Sequence, residues 1–360
     1  MPRRFVTPST QQWNLTVQRD LGKNWVLEVG YIGTHSIHLR ETRTNLPAKL
    51  ASPTSPITVT DVNGNNYQIT ESTTANGPLR SPIPAINGYG GFQIFDNSAY
   101  SHYHSLQTTV SRRWSRGYFQ AAYTWSRSTD VNSSGNTALN TAYNDESNLR
   151  SGYGPSDFDR THRFVVSYRY DLPFFSHADG WQKVALANWA ISGITVIQSG
   201  TPFSVTDSSA GTAFLGPGYT PTLTGNLADG GTVGKGYTGG GIGNELANGY
   251  LNPANFAPAP LISAANGGDG AVTNYGNLGR NAYRGPYQQS WDFSLLKTFQ
   301  LTERINLHFT TDFFNIWNHA NFANPQINDV ETIGPGSPFG KIFSTVGTPR
   351  LIQFSLRLAF

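Results

Sequence analysis

Cysteine is absent from all 360 residues, which excludes both a disulfide framework and a thiolate metal centre. Charge is thin as well: Asp, Glu, Lys and Arg make up 13% of the chain, about half the share of an ordinary soluble domain. The formal balance is +3, and no basic run exceeds the pairs Arg3-Arg4 and Arg112-Arg113, so the electrostatic footprint of a nucleic-acid binder is missing. No apolar run approaches the roughly 18 residues of a membrane-spanning helix. The opening MPRRFVTPSTQQW has two arginines and no apolar stretch behind them, so it does not read as a signal peptide. Hydrophobic residues, at 38%, fall below the ~45–50% of soluble domains and supply a conventional packed core poorly. The low charge in turn argues against disorder.

What fills the gap is glycine (38), proline (21), aromatics at 13% and many Asn, Ser and Thr residues, the ingredients of strands and long polar loops. The dominant hydrophobic period is two. In QQWNLTVQR the odd positions are Trp13, Leu15 and Val17 against Gln12, Asn14, Thr16 and Gln18; NWVLEVGYI continues with Trp25, Leu27, Val29 and Tyr31 opposite Glu28. The alternation returns near 103–114, 117–127, 161–171, 187–199, 290–300, 304–316 and 350–360. Charges keep to one side: Arg163 and Arg169 oppose Phe164, Val166, Tyr168 and Tyr170, and Arg304 and Asp312 oppose Ile305, Leu307, Phe309 and Phe313.

These segments match the roughly 9 to 11 residues that cross a bilayer as a tilted strand. Their connections segregate into short ones and long ones, the longest at 33–102 and 201–289, as outer-membrane barrels place short turns on one rim and long loops on the other. The expected fold is therefore all-β: an antiparallel transmembrane barrel segment of about nine long strands, with short periplasmic turns and long extracellular loops. Trp13, Trp25, Tyr31, Trp125, Tyr170, Trp189, Trp291 and Phe360 fall near predicted strand ends, where aromatic girdles sit. Within the first long loop, ITVTDVNGNNYQIT predicts a hairpin about Asn63-Gly64.

The ending, RLIQFSLRLAF, sharpens the reading. Ile352, Phe354, Leu356, Leu358 and Phe360 share one face, with Arg357 on the other. An arginine facing lipid near the midplane would cost about 2 to 4 kcal/mol, so the apolar face is assigned to lipid and Arg357 to a wet lumen, with the final strand expected to close a cylinder. The terminal aromatic behind alternating apolar residues is similar to the signal that outer-membrane assembly machinery reads. Asp157, Asp159, Arg160, Arg163, Arg169, Arg304, Asp312 and Arg357 are the candidate lumen charges.

The whole chain resembles the C-terminal part of the β-barrel of TonB-dependent receptors, in particular the Oar-like group often fused to a carboxypeptidase-regulatory-like domain. The stretches that carry the resemblance include QQWNLTVQRDLGKNWVLEVGYIGTHSIHL, YHSLQTTVSRRWSRGYFQAAYTWSRSTD, SDFDRTHRFVVSYRYDLPF, WAISGITVIQSGTPFSV, NLGRNAYRGP, DFFNIWNHANFANP and FGKIFSTVGTPRLIQFSLRLAF. The resemblance implies a barrel of about 22 strands with a plugged lumen, moving a large substrate with energy relayed by TonB. About nine strands is an odd count, where closed single-chain bacterial barrels are even, and nothing in the chain supplies a plug. Residues 1–360 are thus expected to form one partial barrel domain of a longer protein.

Chemistry finds little footing. His102 and His104 stand two apart on one strand face with no third ligand in view, and metal sites need three or four. DVNGNN resembles a calcium loop only at Asp61, Asn63 and Asn65, since Asn66 and Ser72 occupy the glycine and glutamate positions. SDFDRTHR gathers acids and bases without a nucleophile, TGGGIGN is followed by no GK[ST], and no G-x-S-x-G elbow surrounds Ser204. No catalytic activity, metal or cofactor is expected. Tyr89, Phe92, Phe95, Tyr275 and Tyr283, in the long loops, are the candidates for stacking on a sugar or peptide. The expected function is an outer-membrane transporter barrel. Its expected partners are lipid, the barrel assembly machinery, TonB through a plug, and a large substrate. A non-transporting barrel or surface adhesin, and a soluble secreted carbohydrate-binding sandwich, stay open as alternatives.

Overall fold

The computed structural model describes the chain except residues 1–5, 45–46, 61–62, 83–92, 134–143, 176–178, 217–222 and 327–328. Nine long strands carry it: β1 (Ser9–Gly22), β2 (Trp25–Thr44), β3 (Gln93–Trp114), β4 (Gly117–Asp130), β5 (His162–Asp171), β6 (Trp189–Gln198), β7 (Gln288–Gln300), β8 (Asn306–Phe314) and β9 (Leu351–Ala359). Each pairs antiparallel with the next in chain order, and the two-residue piece Gly154–Pro155 adds to the far end of β4.

The registers run one side-chain phase through the whole sheet. On one face Val17 meets Val29, Thr108, Tyr123, Phe164 and Ile197 in turn. Farther along, Leu295, Thr311 and Phe354 form another cross-strand row, and Phe299, Leu307 and Leu358 a third. The opposite face reads Gln18, Glu28, Thr109, Ala122, Val165, Val196 and Ser290, then Ser294, Asp312 and Gln353. A slip of one residue in any ladder would put oil and amide on the same side. Leu15 and Leu356 are 69% and 66% exposed and Leu307 is half-buried, so the apolar face is not sealed under a second protein layer.

Turn chemistry fixes one rim. Lys23 and Asn24 both take positive φ, 50° and 63°, as the two central residues of a type I′ turn require between right-twisted strands. Ser115 and Arg116 make the β3–β4 turn equally short. Arg304 lies in the turn between β7 and β8, since β8 begins at Asn306; it is a rim residue, not the strand-borne lumen charge expected.

One further expectation is corrected, and two features extend the reading. β2 and β3 run well past the predicted strand limits, to Thr44 and from Gln93, with register shifts between Ser36 and Glu41. Beyond the apolar belt no lipid enforces the alternation, so GTHSIHLRETRT stays paired without an oily face to announce it. β9 pairs only with β8 among the described residues, and the cylinder does not close within the chain. Eight successive antiparallel steps leave β1 and β9 pointing the same way, so no antiparallel ladder between them is available. The long loops, finally, are not bare connections. Phe203, Val205, Leu251, Phe256, Tyr283 and Phe339 form a buried core of their own at the long-loop rim, with a short helix at Ile242–Asn248; a second short helix, Gly180–Leu186, stands in the link between β5 and β6. The hairpin expected about Asn63-Gly64 pairs Ile57–Thr60 with Asn66–Ile69, while Asp61 lies outside the described residues.

Candidate functional site

At the long-loop rim the connections between strands are knitted into a cap, and buried arginines do the knitting. Arg280, 1% exposed, sits between two loops. Its Nε donates to the Gly152 carbonyl at 2.7 Å, its Nη1 to Ser133 Oγ at 3.1 Å and Asp157 Oδ1 at 3.2 Å, and its Nη2 to the Asp130 carbonyl at 2.7 Å and to the Asp130 carboxylate. Four residues on, Arg284 donates through Nη1 to the carbonyls of Asp159 (3.0 Å) and Gly200 (2.9 Å) and through Nη2 to Asp159 Oδ2 at 2.5 Å. Between them, the Asn281 amide donates to the Pro155 carbonyl at 2.8 Å and to Asp157 Oδ1 at 2.6 Å. A guanidinium buried as deeply as that of Arg280 is tolerable only when its fork of donors is matched, and its matches come from residues more than a hundred positions away.

Arg80 does the same for the first long loop. Its Nε donates to Asn76 Oδ1 at 2.6 Å, Nη1 to the Lys49 carbonyl at 2.5 Å, and Nη2 to the carbonyls of Thr73 (2.9 Å) and Ala213 (2.8 Å). Burial pushes its guanidinium below the ordinary arginine value. Arg43, at the top of β2, bridges the Asp96 carboxylate and the Glu146 carbonyl.

The candidate lumen charges divide between cap and wall. Asp157, Asp159 and Arg160 belong to the cap, because the segment before β5 folds against the end of β4: the Ser156 amide donates to the Ser128 carbonyl at 3.0 Å and the Ser126 amide to the Thr161 carbonyl at 2.9 Å. Arg160 Nη1 donates to the Ser199 carbonyl at 2.5 Å. Burial first, then the neighbouring cations Arg284 and Arg163, push its guanidinium down. Arg163, Arg169, Asp312 and Arg357 lie on the polar face of the wall. Asp312 accepts from Ser294 Oγ at 2.5 Å, Arg169 pairs with Asp171 at 3.2 Å, and Arg357 stands opposite His308.

The loop aromatics also divide. Tyr89 and Phe92 lie outside the described residues. Phe95 is exposed with the Arg40 guanidinium 5.1 Å from its ring centre, and Tyr275 stacks on Phe214 at 4.2 Å and 8°. Tyr283 is no surface contact: it is buried in the cap core with Asn255 donating to its hydroxyl at 3.3 Å, and burial pushes that hydroxyl up to about 12. Its aromatic neighbours Phe203, Tyr237 and Phe256 lie 5.5 to 6.0 Å away; they come from distant loop positions that no local pattern connects. His102 faces His35 across the β2–β3 ladder, ring centres 4.3 Å apart, and His104 shares a 2.8 Å hydrogen bond with the Tyr31 hydroxyl. Among the described residues no three His, Cys, Asp or Glu side chains converge as a metal would need.

Two cavities follow from this arrangement. One of about 600 Å³ lies where the wall meets the cap, bounded by Ser105, Leu106, Trp125 and Ser126 from β3 and β4 and by Tyr283 and Arg284 from the longest loop. The other, about 750 Å³, lies toward the short-turn rim among Arg169, Thr298, His308, Ser355 and Arg357. The first is the candidate binding site for its hydroxyls and the partly buried Arg284 guanidinium under the cap; Leu106 and Trp125 share the phase of Val29 and Tyr123, so its aromatic edge belongs to the outer face of the wall.

A wall oiled on one face, wet on the other and capped at one rim is what a cylinder in a bilayer needs. The family model described as outer membrane beta barrel domain matches residues 1–353. The chain belongs to the outer membrane beta barrel domain family. It is accordingly a component of the cell outer membrane, with the Lys23-Asn24 rim periplasmic and the capped rim extracellular, as such barrels are oriented. Among solved structures, the outer membrane transporter YddB from Escherichia coli is similar over 99% of this chain and 33% of its own, at 11% identity and a TM-score of 0.46. The chain thus spans about a third of that transporter's length. No curated protein matches it. Arg80, Arg280, Arg284 and Asp130, which organise the barrel's cap, carried no assigned role in the sequence reading. The only signal was the pair of arginines in NLGRNAYRGP, and a spacing of four in a loop does not name the acids they meet.

Proposed function

We propose that the chain forms part of the wall and the extracellular cap of a TonB-dependent transporter of the Oar-like group, and that it takes a large substrate at the cavity between wall and cap. The observation that carries the reading is the union of a lipid-facing belt with a polar inner face bearing Arg163, Arg169, Asp312 and Arg357, surmounted by a cap held by buried ion pairs. A barrel that served only as an anchor would need the belt but no charged lumen. In this role the free edges of β1 and β9 pair with further strands of a barrel of about 22, and TonB acts through a plug domain. No covalent chemistry is assigned to the chain.

The test is uptake by cells making the complete protein, screened with iron chelates, glycans and peptides. Accumulation of whichever ligand is taken should fall to background when TonB function is removed. Surface binding that persists without any TonB-dependent accumulation would favour a non-transporting barrel or adhesin instead. Assembly is tested separately: Phe360→Ser should lower the amount of protein inserted in the outer membrane if the closing residues are read by the assembly machinery, and should leave it unchanged if they are not.

A further inference from the structure

The periplasmic link between β5 and β6 is built unlike the other rim turns. It contains the helix Gly180–Leu186, whose seven residues are all exposed. Trp181 is 72% and Val184 63% exposed, and Leu186 and, earlier in the link, Phe174 and Phe175 are exposed too. Trp181 and Val184 stand three apart and so share a helix face, with Gln182 and Lys183 off it. So much apolar surface in one short link calls for a partner.

Two contacts say on which side of the wall the link lies. Trp189 and Lys297 oppose each other across the β6–β7 ladder, in the phase of Phe309 and Leu356, the lipid-facing side. Trp189 Nε1 donates to the Ala185 carbonyl at 3.0 Å, and Lys297 Nζ donates to the Ala187 carbonyl. Lys297 also lies 5.5 Å from the Trp189 ring centre and 5.0 Å from that of Phe299. A lysine on the oily face is thus covered and capped by the link itself, and the helix is tied to the outer side of the wall at the periplasmic rim. The end of the helix therefore sits at the periplasmic edge of the face that meets lipid.

We propose that the helix Gly180–Leu186 is an interfacial anchor that lies in the periplasmic leaflet, with Trp181 and Val184 inserted among phospholipid acyl chains and Lys183 at the phosphate level. An amphipathic segment with Trp on one face and Lys on the other partitions to that layer. These 360 residues contribute no cysteine that would compete for the label. Nitroxide labels are placed singly at Val184→Cys and Gln182→Cys of the complete protein, reconstituted in vesicles of phosphatidylethanolamine and phosphatidylglycerol. Leu356→Cys on the outer face and Ser192→Cys on the lumen face serve as references. The ratio of oxygen to nickel-chelate accessibility should be several-fold higher at Val184 than at Gln182. Adding Trp181→Asp should bring Val184 down to the Gln182 value while leaving the Leu356 reference unchanged, which separates a lost anchor from a lost fold. Equal ratios at Val184 and Gln182 would overturn the proposal, as would a Val184 label shielded from both reagents, which would mean that a protein covers the link.

Discussion

The wall and the cap are made from one chain by opposite rules. In the wall the large apolar side chains are the exposed ones, Leu15, Val17, Phe354, Leu356 and Leu358 among them, while Ser105 and Thr311 are buried. In the cap the order is the familiar one, with Phe203, Val205, Leu251, Phe256 and Phe339 inside. The difference lies in the solvent: hydrocarbon stabilises what water expels, so the wall turns its oil outward and the cap inward. Charge follows the same division. On the wall's polar face Arg169 and its partner Asp171 are both exposed, whereas in the cap Arg280 is buried and held by fixed partners.

The contrast can be broken from either side. Arg280→Ala should have the largest effect, because it leaves Asp130 buried beside an empty site, and breaking a buried pair in this way costs about 3 to 5 kcal/mol. Limited proteolysis of the detergent-solubilised protein should then cut within 131–161 or 199–287 far faster, with the strands still protected. Arg280→Lys should rescue little, since an ammonium cannot reach the Gly152, Asp130 and Asp157 acceptors together. Next comes the wall. Val166→Arg, facing lipid in the middle of β5, should cost about 2 to 4 kcal/mol in denaturant unfolding from lipid vesicles, and Ser167→Arg, one residue on and facing the lumen, close to nothing. Equal costs for the two would mean that the phase of the sheet has been misassigned.

The smallest effect is local to the cap. Hydrogen bonds from the Ala271 and Val272 amides to Asp269 hold its carboxyl below the ordinary carboxylate range. A group whose folded value is depressed contributes its stability above the unfolded value and loses it as pH falls through the folded one. Amide exchange at Ala271 and Val272 should therefore quicken in acid, below the usual carboxylate range, and Asp269→Asn should remove that pH dependence. The exposed site limits the effect to this turn.

All nine strands were legible from period two alone, because lipid and lumen each demand one kind of side chain at every second position. Trp13, Leu15 and Val17 betray β1, and Phe354, Leu356 and Leu358 betray β9. Where a strand leaves the bilayer, that demand ends. Residues 33–44 and 93–102 continue β2 and β3 with polar groups on both faces, and the periodicity that located the rest has nothing to report there. The cap was legible only as loop composition. Its order depends on Arg80 meeting Ala213 and on Arg280 meeting Asp130, pairs separated by more than a hundred residues, and on Tyr283 packing with Phe203 and Phe256. Local pattern encodes the solvent a residue sees, and it is silent on which distant loop will supply a hydrogen-bond acceptor.

The common direction of β1 and β9 carries a rule of parity. Any polypeptide that bridges the two free edges by antiparallel ladders must contribute an odd number of strands. A second copy of this sheet in the same orientation meets the first in parallel seams, so simple pairing of two such arcs does not make a conventional cylinder.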